Sequence, residues 1–299
     1  MPLALDVPSA AVVVGTDGSA ASRRAVDWAV EEADRRAAPV VIVYAAERQG
    51  GAVGESRPIP ESELTDLGER MVTEEIGRVR QQYPHVTVTG SAIPGQASVV
   101  LVEASQRADL VVVGARGLGP FAGALLGSVS QKVAAHAHGT VVVVREEAPA
   151  KMPGPVVVGA DPADPPVEAL EYAFEEAKRR GVGVVVVVAT RELPFPVLSI
   201  APDATAMLGQ ADKRSHERLV EAVDQLSIAH DVSAEVQRLA GHPADTLLGV
   251  AGDESIIVVG SRGQGGLTNL LLGSVSTGVL NRALVVVVVR VPSAHEREA

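Results

Sequence analysis

The strongest constraint in this chain is that it repeats itself. Residues 12–17, VVVGTD, return as VVVGAD at 156–161, an offset of 144 positions. The adjoining segments stay in register: Val26, Ala29, Val30 and Ala33 correspond to Leu170, Ala173, Phe174 and Ala177. Both sets follow the i, i+3, i+4, i+7 pattern of a helix with one buried face. VVVGARG at 111–117 recurs as IVVGSRG at 257–263, and LLGSVS at 125–130 as LLGSVS at 271–276, now at an offset of 146. Four blocks in one order establish a duplication, with two residues gained between the early and late motifs.

The stretch REEAPAKMPGP at 145–155 has linker composition, which places a boundary near residue 150. Two domains are expected, 1–147 and 153–299. Within the first, Val-rich runs stand at Ala11–Val14, Val40–Tyr44, Val86–Thr89, Leu110–Val113 and Val141–Val144. Within the second they are Val156–Val158, Val184–Val188, Ser233–Gln237, Ile256–Val259 and Val285–Val289. Four of the five runs in each copy are almost purely apolar, as strands covered on both faces require; the third is more polar and suits an edge. Helical segments such as Ser19–Arg36, Glu61–Gln82, Ala97–Arg107 and Ser128–Ala137 separate them. Strand–helix alternation predicts an α/β fold of two tandem doubly wound domains, each a parallel sheet with helices on both faces. Such sheets bind ligands beyond the strand C-termini, at a topological switch point.

Composition excludes several classes of function. The formal net charge is −11, whereas nucleic-acid affinity rests on a basic face. There is no cysteine, so disulfides, thiol catalysis and cysteine-ligated zinc are absent. Apolar runs such as Val184–Ala189 fall far short of the roughly 20 residues of a membrane helix. The N-terminus MPLALDVPSAAVVVG lacks the basic and sustained apolar regions of a signal peptide. The expectation is a soluble cytoplasmic protein without nucleic-acid or membrane partners.

The unusual residues stand just after the strands. Gly114-x2-Gly117-x9-Gly127-Ser128 is repeated as Gly260-x2-Gly263-x9-Gly273-Ser274, while the loop between diverges from LGPFAGALL to QGGLTNLLL. Gly114 and Gly260 end strands, as do Gly15 and Gly159, and all four are candidate nucleotide contacts; a side chain at Gly114 or Gly260 would stand between the backbone and a ligand over the sheet edge. The segments Gly127-Ser128-Val129-Ser130 and Gly273-Ser274-Val275-Ser276 open helices, whose unpaired N–H groups and partial positive charge favour phosphate. Serine hydroxyls at 128, 130, 274 and 276 are expected as further donors, and Arg116 and Arg262 as full charges in the same loops. Glycine after a strand and serine at a helix start are also ordinary punctuation. Retention of the spacing in both copies favours phosphate binding.

Asp17 and Asp161 end the first strand of each copy. Each reads as an Asx-turn residue or as a ligand, either to the nucleoside or to Mg²⁺. No Walker-type Gly-x4-Gly-Lys-Ser/Thr is present, and no Gly-x-Gly-x-x-Gly succeeds the first strand. The seven histidines form no i, i+4 metal pair, with His136 and His138 suiting a helix end. Trp28 reads as helix packing, and Glu31-Glu32 and Glu175-Glu176 as solvated helix faces. No Ser–His–Asp set can be built from repeated positions.

With these residues in view, the chain resembles the universal stress protein family over essentially its whole length, as a tandem two-domain member. The family's marker is this Gly-x2-Gly-x9-Gly-Ser spacing combined with an aspartate on the first strand. The resemblance implies five-stranded parallel sheets of order 3-2-1-4-5, ATP as ligand, and dimerisation through the last strand. It places phosphate and ribose contacts on Gly114, Arg116, Gly117, Gly127, Ser128, Val129 and Ser130, with adenine near Asp17 and the backbone at Ala45. The second copy would use Asp161, Ala189, Gly260, Arg262, Gly263, Gly273, Ser274, Val275 and Ser276. One departure is that Asp161-Pro162-Ala163-Asp164-Pro165-Pro166 replaces the turn Asp17-Gly18-Ser19, which stiffens the second entrance. The last strands would pair the two domains as a pseudo-dimer, and a homodimer of the tandem chain stays open. The leading expectation is an ATP-binding regulator of stress response or growth state, acting with an unidentified protein partner and holding ATP rather than consuming it. The alternative is a slow ATPase or nucleotidyl transferase on the same sites, for which one arginine and one aspartate per repeat are few.

Overall fold

The computed structural model describes residues 5–47, 60–117, 126–190, 202–261 and 272–290, with the side chains of 202–208 left aside. The chain divides into two compact units, Met1–Ala150 and Lys151–Ala299.

The first unit runs β1 (Val12–Thr16), α1 (Ala20–Arg36), β2 (Val40–Ala46), α2 (Glu61–Gln82), β3 (Val88–Pro94), α3 (Ala97–Ala104), β4 (Leu110–Gly114), α4 (Ser128–His136) and β5 (Thr140–Val144). All its strands are parallel. Val12 stands opposite Val40 on one side and Leu110 on the other, Val40 opposite Val88, and Leu110 opposite Thr140. The order is therefore 3-2-1-4-5. The winding reverses between β1 and β4, so the residues after Thr16 and after Gly114 emerge side by side.

The second unit repeats this plan with β6 (Val156–Gly159), α5 (Val167–Arg180), β7 (Val184–Thr190), α6 (Pro202–His230), β8 (Ala234–Ala240), α7 (Pro243–Ala251), β9 (Ile257–Gly260), α8 (Ser274–Leu280) and β10 (Val285–Val289). Its order is the same: β8-β7-β6-β9-β10. The expected pair of doubly wound parallel domains is what the chain forms.

The apolar runs are strands because both of their faces are covered. Val12, Val13, Val14, Val112 and Val142 are completely buried, as are Val157, Val158, Val258 and Val287. Each such side chain contributes roughly 1.5–3 kcal/mol of burial. The third strands run further than expected, to Pro94 and Ala240, because pairing with β2 and β7 continues past the Val-rich runs, through Gly90–Pro94 and Arg238–Ala240. The edge at β3 is partly covered, since Glu69 Oε1 accepts the Ala92 N–H at 2.8 Å. Trp28, 2% exposed, packs inside the first unit.

Ion pairs correct one expectation. Glu32 and Glu176 are not solvated but fully buried. Arg36 Nε reaches Glu32 Oε1 at 2.6 Å and Arg35 Nη1 reaches Oε2 at 3.2 Å. In the second unit Arg180 and Arg179 clamp Glu176 in the same way. The arginines three and four residues on bring the counter-charge that makes burial tolerable. On the α1 side, Arg78 joins Asp27 at 2.6 Å and Arg23 joins Glu75 at 3.3 Å, tying α2 to α1.

Candidate functional site

In the first unit, the edge at the switch point is built by three segments: the turn after β1, the loop after β4 and the start of α4. Ser19 caps α1, its side chain accepting the Ser22 N–H at 3.1 Å. Asp17 closes an Asx turn, Oδ1 accepting the Ser19 N–H at 3.0 Å. Gly18 sits at φ +79°, in the left-handed region. Asp17 is half-buried, and a Cβ added to Gly117 would overlap its Oδ2. The β1 turn and the β4 loop are thus in van der Waals contact, with a carboxylate between them.

Gly114 has a different reason from the one expected. A Cβ there would lie 2.9 Å from Ala21 C and 3.0 Å from Ser22 N, so the first turn of α1, rather than a ligand, demands the glycine. Gly15 is likewise a packing glycine, where a Cβ would meet Leu101 Cδ1 at 2.9 Å; at Gly159 it would meet Leu247 Cδ1 at 3.0 Å.

Helix α4 is held to the strand end by a pair of short bonds. The Gly127 N–H donates to Ala115 O at 2.7 Å, and Ser130 Oγ donates to Gly114 O at 2.6 Å. Ser130 is 3% exposed. Its one hydroxyl proton is used on the strand end, so it staples α4 to β4 rather than presenting a donor outward. The second unit does the same: Gly273 N–H to Ser261 O at 2.9 Å and Ser276 Oγ to Gly260 O at 2.7 Å. Ser128 and Ser274 are exposed, with Val129 and Val275 half-buried beside them. Neither α4 nor α8 has a side-chain hydrogen bond at its N-cap glycine. At α4 the amides of the first turn, the exposed Ser128 and the exposed Arg116 share one rim, a set of donors suited to an anion.

Ala45 lies half-buried near the end of β2, opposite Ile93, and Ala189 holds the same place opposite Leu239. Asp161 also forms an Asx turn, Oδ1 accepting the Ala163 N–H at 2.9 Å, but it is exposed where Asp17 is half-buried. Its helix α5 starts at Pro166 without a side-chain cap. Arg262 and Gly263 fall outside the described residues. Among the described residues no cluster of three or more His, Asp or Glu side chains is placed to hold a metal ion. A cation at Asp17 or Asp161 would therefore take most of its coordination from phosphate oxygens and water. Among the described residues, no helix is long and apolar enough to cross a membrane.

One cationic group at this edge is missed by the motif reading, although an arginine follows the last Val-rich run in both copies, as Arg145 and as Arg290. Arg145 succeeds β5, is 6% exposed, and lines a small pocket with Ala21, Ala115, Arg116, Glu146 and Glu147. Burial lowers its pKa, and the neighbouring Arg116 charge lowers it further against the pull of Glu147. Only the β4–β5 register reveals this neighbour; in the sequence it reads as the start of a linker.

Comparison with known proteins fits this geometry. The model of the Universal stress protein family matches residues 10–145 and again 152–291. The chain belongs to the universal stress protein family. Universal stress protein Rv1996 of Mycobacterium tuberculosis is 36% identical over 304 residues, covering 94% of this chain and 95% of its own. Universal stress protein Rv2623 of the same organism is 32% identical over 296 residues, covering 94% and 96%. A universal stress protein of Archaeoglobus fulgidus has the same tandem fold: TM-score 0.67 at 21% identity, over 95% of this chain and 99% of that one. This universal stress protein thus matches its relatives over nearly the whole of the sequence compared.

Proposed function

We propose that the chain binds ATP at the switch-point edge of its first unit, and at the corresponding edge of its second, and acts as a nucleotide-dependent regulator rather than an enzyme. The observation that carries this is the start of α4. Its N-cap glycine has no side-chain hydrogen bond, and exposed Ser128 and Arg116 flank it. A phosphate seated there would meet backbone amides, one hydroxyl and one guanidinium, with the adenosine lying back over β1 and β2 toward Asp17 and Ala45. Gly114, Gly117, Gly127 and Val129 would shape the phosphate loop. Asp161, Ala189, Gly260, Ser274 and Val275 are the counterparts in the second unit, together with Arg262 and Gly263.

Binding is favoured over turnover because the groups brought to the edge hold charge and do not abstract protons. Asp17 has Oδ1 committed to the Ser19 amide. Mg²⁺, where present, would neutralise the triphosphate from the Asp17 side. Occupancy would set the position of the β4–α4 loop and so select a protein partner in the cytoplasm.

Isothermal titration of the purified chain with ATP, with and without Mg²⁺, tests the reading. A dissociation constant in the micromolar range, about 8 kcal/mol, is expected. No heat and no uptake at millimolar ATP would overturn it.

A further inference from the structure

We infer that the β8 edge of the second unit is a self-association surface, on which a second copy of this chain adds its own β8 as an antiparallel strand. The inference stands apart from the nucleotide reading.

The two units finish their third strands differently. In a parallel ladder, alternate residues turn both N–H and C=O to the same side. Val40 N–H donates to Thr87 O and Gly95 N–H to Ala46 O, so the odd-numbered residues of β3 face β2. Val88, Gly90, Ala92 and Pro94 face outward. Arg80 Nη2 donates to Val88 O at 2.9 Å, and Glu69 Oε1 accepts the Ala92 N–H at 2.8 Å. Pro94 has no N–H to offer. The β3 edge is thus capped at most of its length, as an edge that must stay single requires.

Strand β8 has the same parity without the caps. Val184 N–H donates to Ser233 O and Gly241 N–H to Thr190 O, which leaves Ala234, Val236, Arg238 and Ala240 facing outward. Among the described residues, no side chain bonds the main-chain groups of these four. Buried Glu75 and Val79 of α2 match buried Leu219 and Val223 of α6 at the offset of 144. By that offset Lys213 stands where Glu69 does, and Asp224 where Arg80 does. An ammonium cannot accept an N–H, and a carboxylate cannot donate to a carbonyl. Lys213 pairs instead with Glu217 on its own helix, at 3.8 Å. The proline is gone as well, since Ala240 pairs with Thr190 as Pro94 pairs with Ala46.

A second copy fits because the open edge is complementary to itself. Outward-facing residues must oppose one another in an antiparallel pair, so even positions meet only even positions. The register that engages all four centres a two-fold axis on Gln237. It sets Ala234 opposite Ala240 and Val236 opposite Arg238; on the other face Glu235 meets Leu239, and Gln237 meets its own copy. No like charges then stand directly opposite. The glutamine amide both donates and accepts across the axis. The two Arg238 side chains beside it each bring a carboxylate, Asp212, to which they are paired.

The test is sedimentation equilibrium and amide hydrogen exchange of the full-length chain over a range of concentrations. A monomer–dimer equilibrium with a dissociation constant of about 10 μM or tighter is expected. On dimerisation the Val236 and Arg238 N–H groups should exchange at least about tenfold more slowly, while those of Gln237 and Leu239, already turned to β7, change little. Val236→Pro removes an N–H that β7 does not use, so it should keep the unfolding midpoint and weaken the dimer at least about tenfold. Gln237→Lys, which sets like charges against each other on the axis, should also weaken it, and less so at high salt. A chain still monomeric at about 100 μM, or a dimer that either folded variant leaves intact, would overturn the assignment. So would protection of Val236 and Arg238 in the dilute monomer, which would show the chain's own residues covering the edge.

Discussion

The carboxylate of Asp17 occupies the space beside the Cα of Gly117, so that a methyl group at position 117 would overlap Oδ2. The carboxylate is the far end of a flexible side chain, and turning it away from a methyl at 117 means giving up the Oδ1 bond to the Ser19 amide at 3.0 Å. Gly117→Ala should therefore lower ATP affinity at least tenfold with little change in melting temperature. Asp17→Ala should remove the clash. In a double-mutant cycle read by calorimetry, the two changes should couple by about 0.5–3 kcal/mol; additive losses would show that the two residues act separately.

Gly114 faces backbone, which has no room to give: Ala21 C at 2.9 Å and Ala21 O at 3.0 Å from an added Cβ. Gly114→Ala should cost about 1–3 kcal/mol of stability before any ligand is considered. Urea denaturation tracked by the fluorescence of Trp28, the chain's one tryptophan, measures it in the correct unit.

The two serines of α4 should separate cleanly. Ser130→Ala strips the half-buried Gly114 carbonyl of its hydroxyl partner and should cost about 1 kcal/mol of stability. Ser128→Ala, at an exposed position, should leave stability within about 0.5 kcal/mol and reduce ATP affinity several-fold. The reverse pattern in paired unfolding and binding curves would exchange their roles.

Helix α1 ends on Ala37 at φ +52°, whereas α5 ends on Gly181 at φ +68°. The first helix carries strain that the second avoids. Ala37→Gly should raise the Trp28-detected unfolding midpoint, by about 0.5–1 kcal/mol after the added chain entropy is subtracted.

Glu32 is fully buried between Arg35 and Arg36, and the side chain of Arg36 is only 11% exposed. Glu32→Ala takes the buried carboxylate from that guanidinium, which keeps its pair with Asp109 at 3.0 Å on the rim. The loss should approach about 3 kcal/mol. Glu31→Ala, which removes a pair at 3.7 Å nearer the surface, should cost under about 1 kcal/mol. Chemical denaturation of the two variants side by side checks the ranking.

Much of the architecture is legible in the chain itself. The α2 boundaries Glu61 and Gln82 are readable because its end charges and apolar period agree, and the start of α4 at Ser128 because the Gly-Ser pair recurs in the second copy. So is the sheet order, which rests on the family resemblance and not on periodicity. Other features depend on pairing register or rotamer, which a linear pattern does not encode. Ser130 looks like Ser128 in sequence, yet the helix turns one hydroxyl toward Gly114 and the other toward water. Glu32 looks like Glu31, and a rotation of about 100° decides which is buried. Arg145 lies 29 positions from Arg116 in the chain, and only the β4–β5 ladder makes them neighbours.

The turn after the first strand is traced differently in the two halves. Gly18 takes φ +79°, a conformation closed to the ring at Pro162, which holds φ near −65°. One entrance is thus closed by a residue free to take either sign of φ, and the other by a ring that is not. Whatever passes through both must adapt to one and be matched by the other, so a molecule built from twins is expected to fill its halves in sequence.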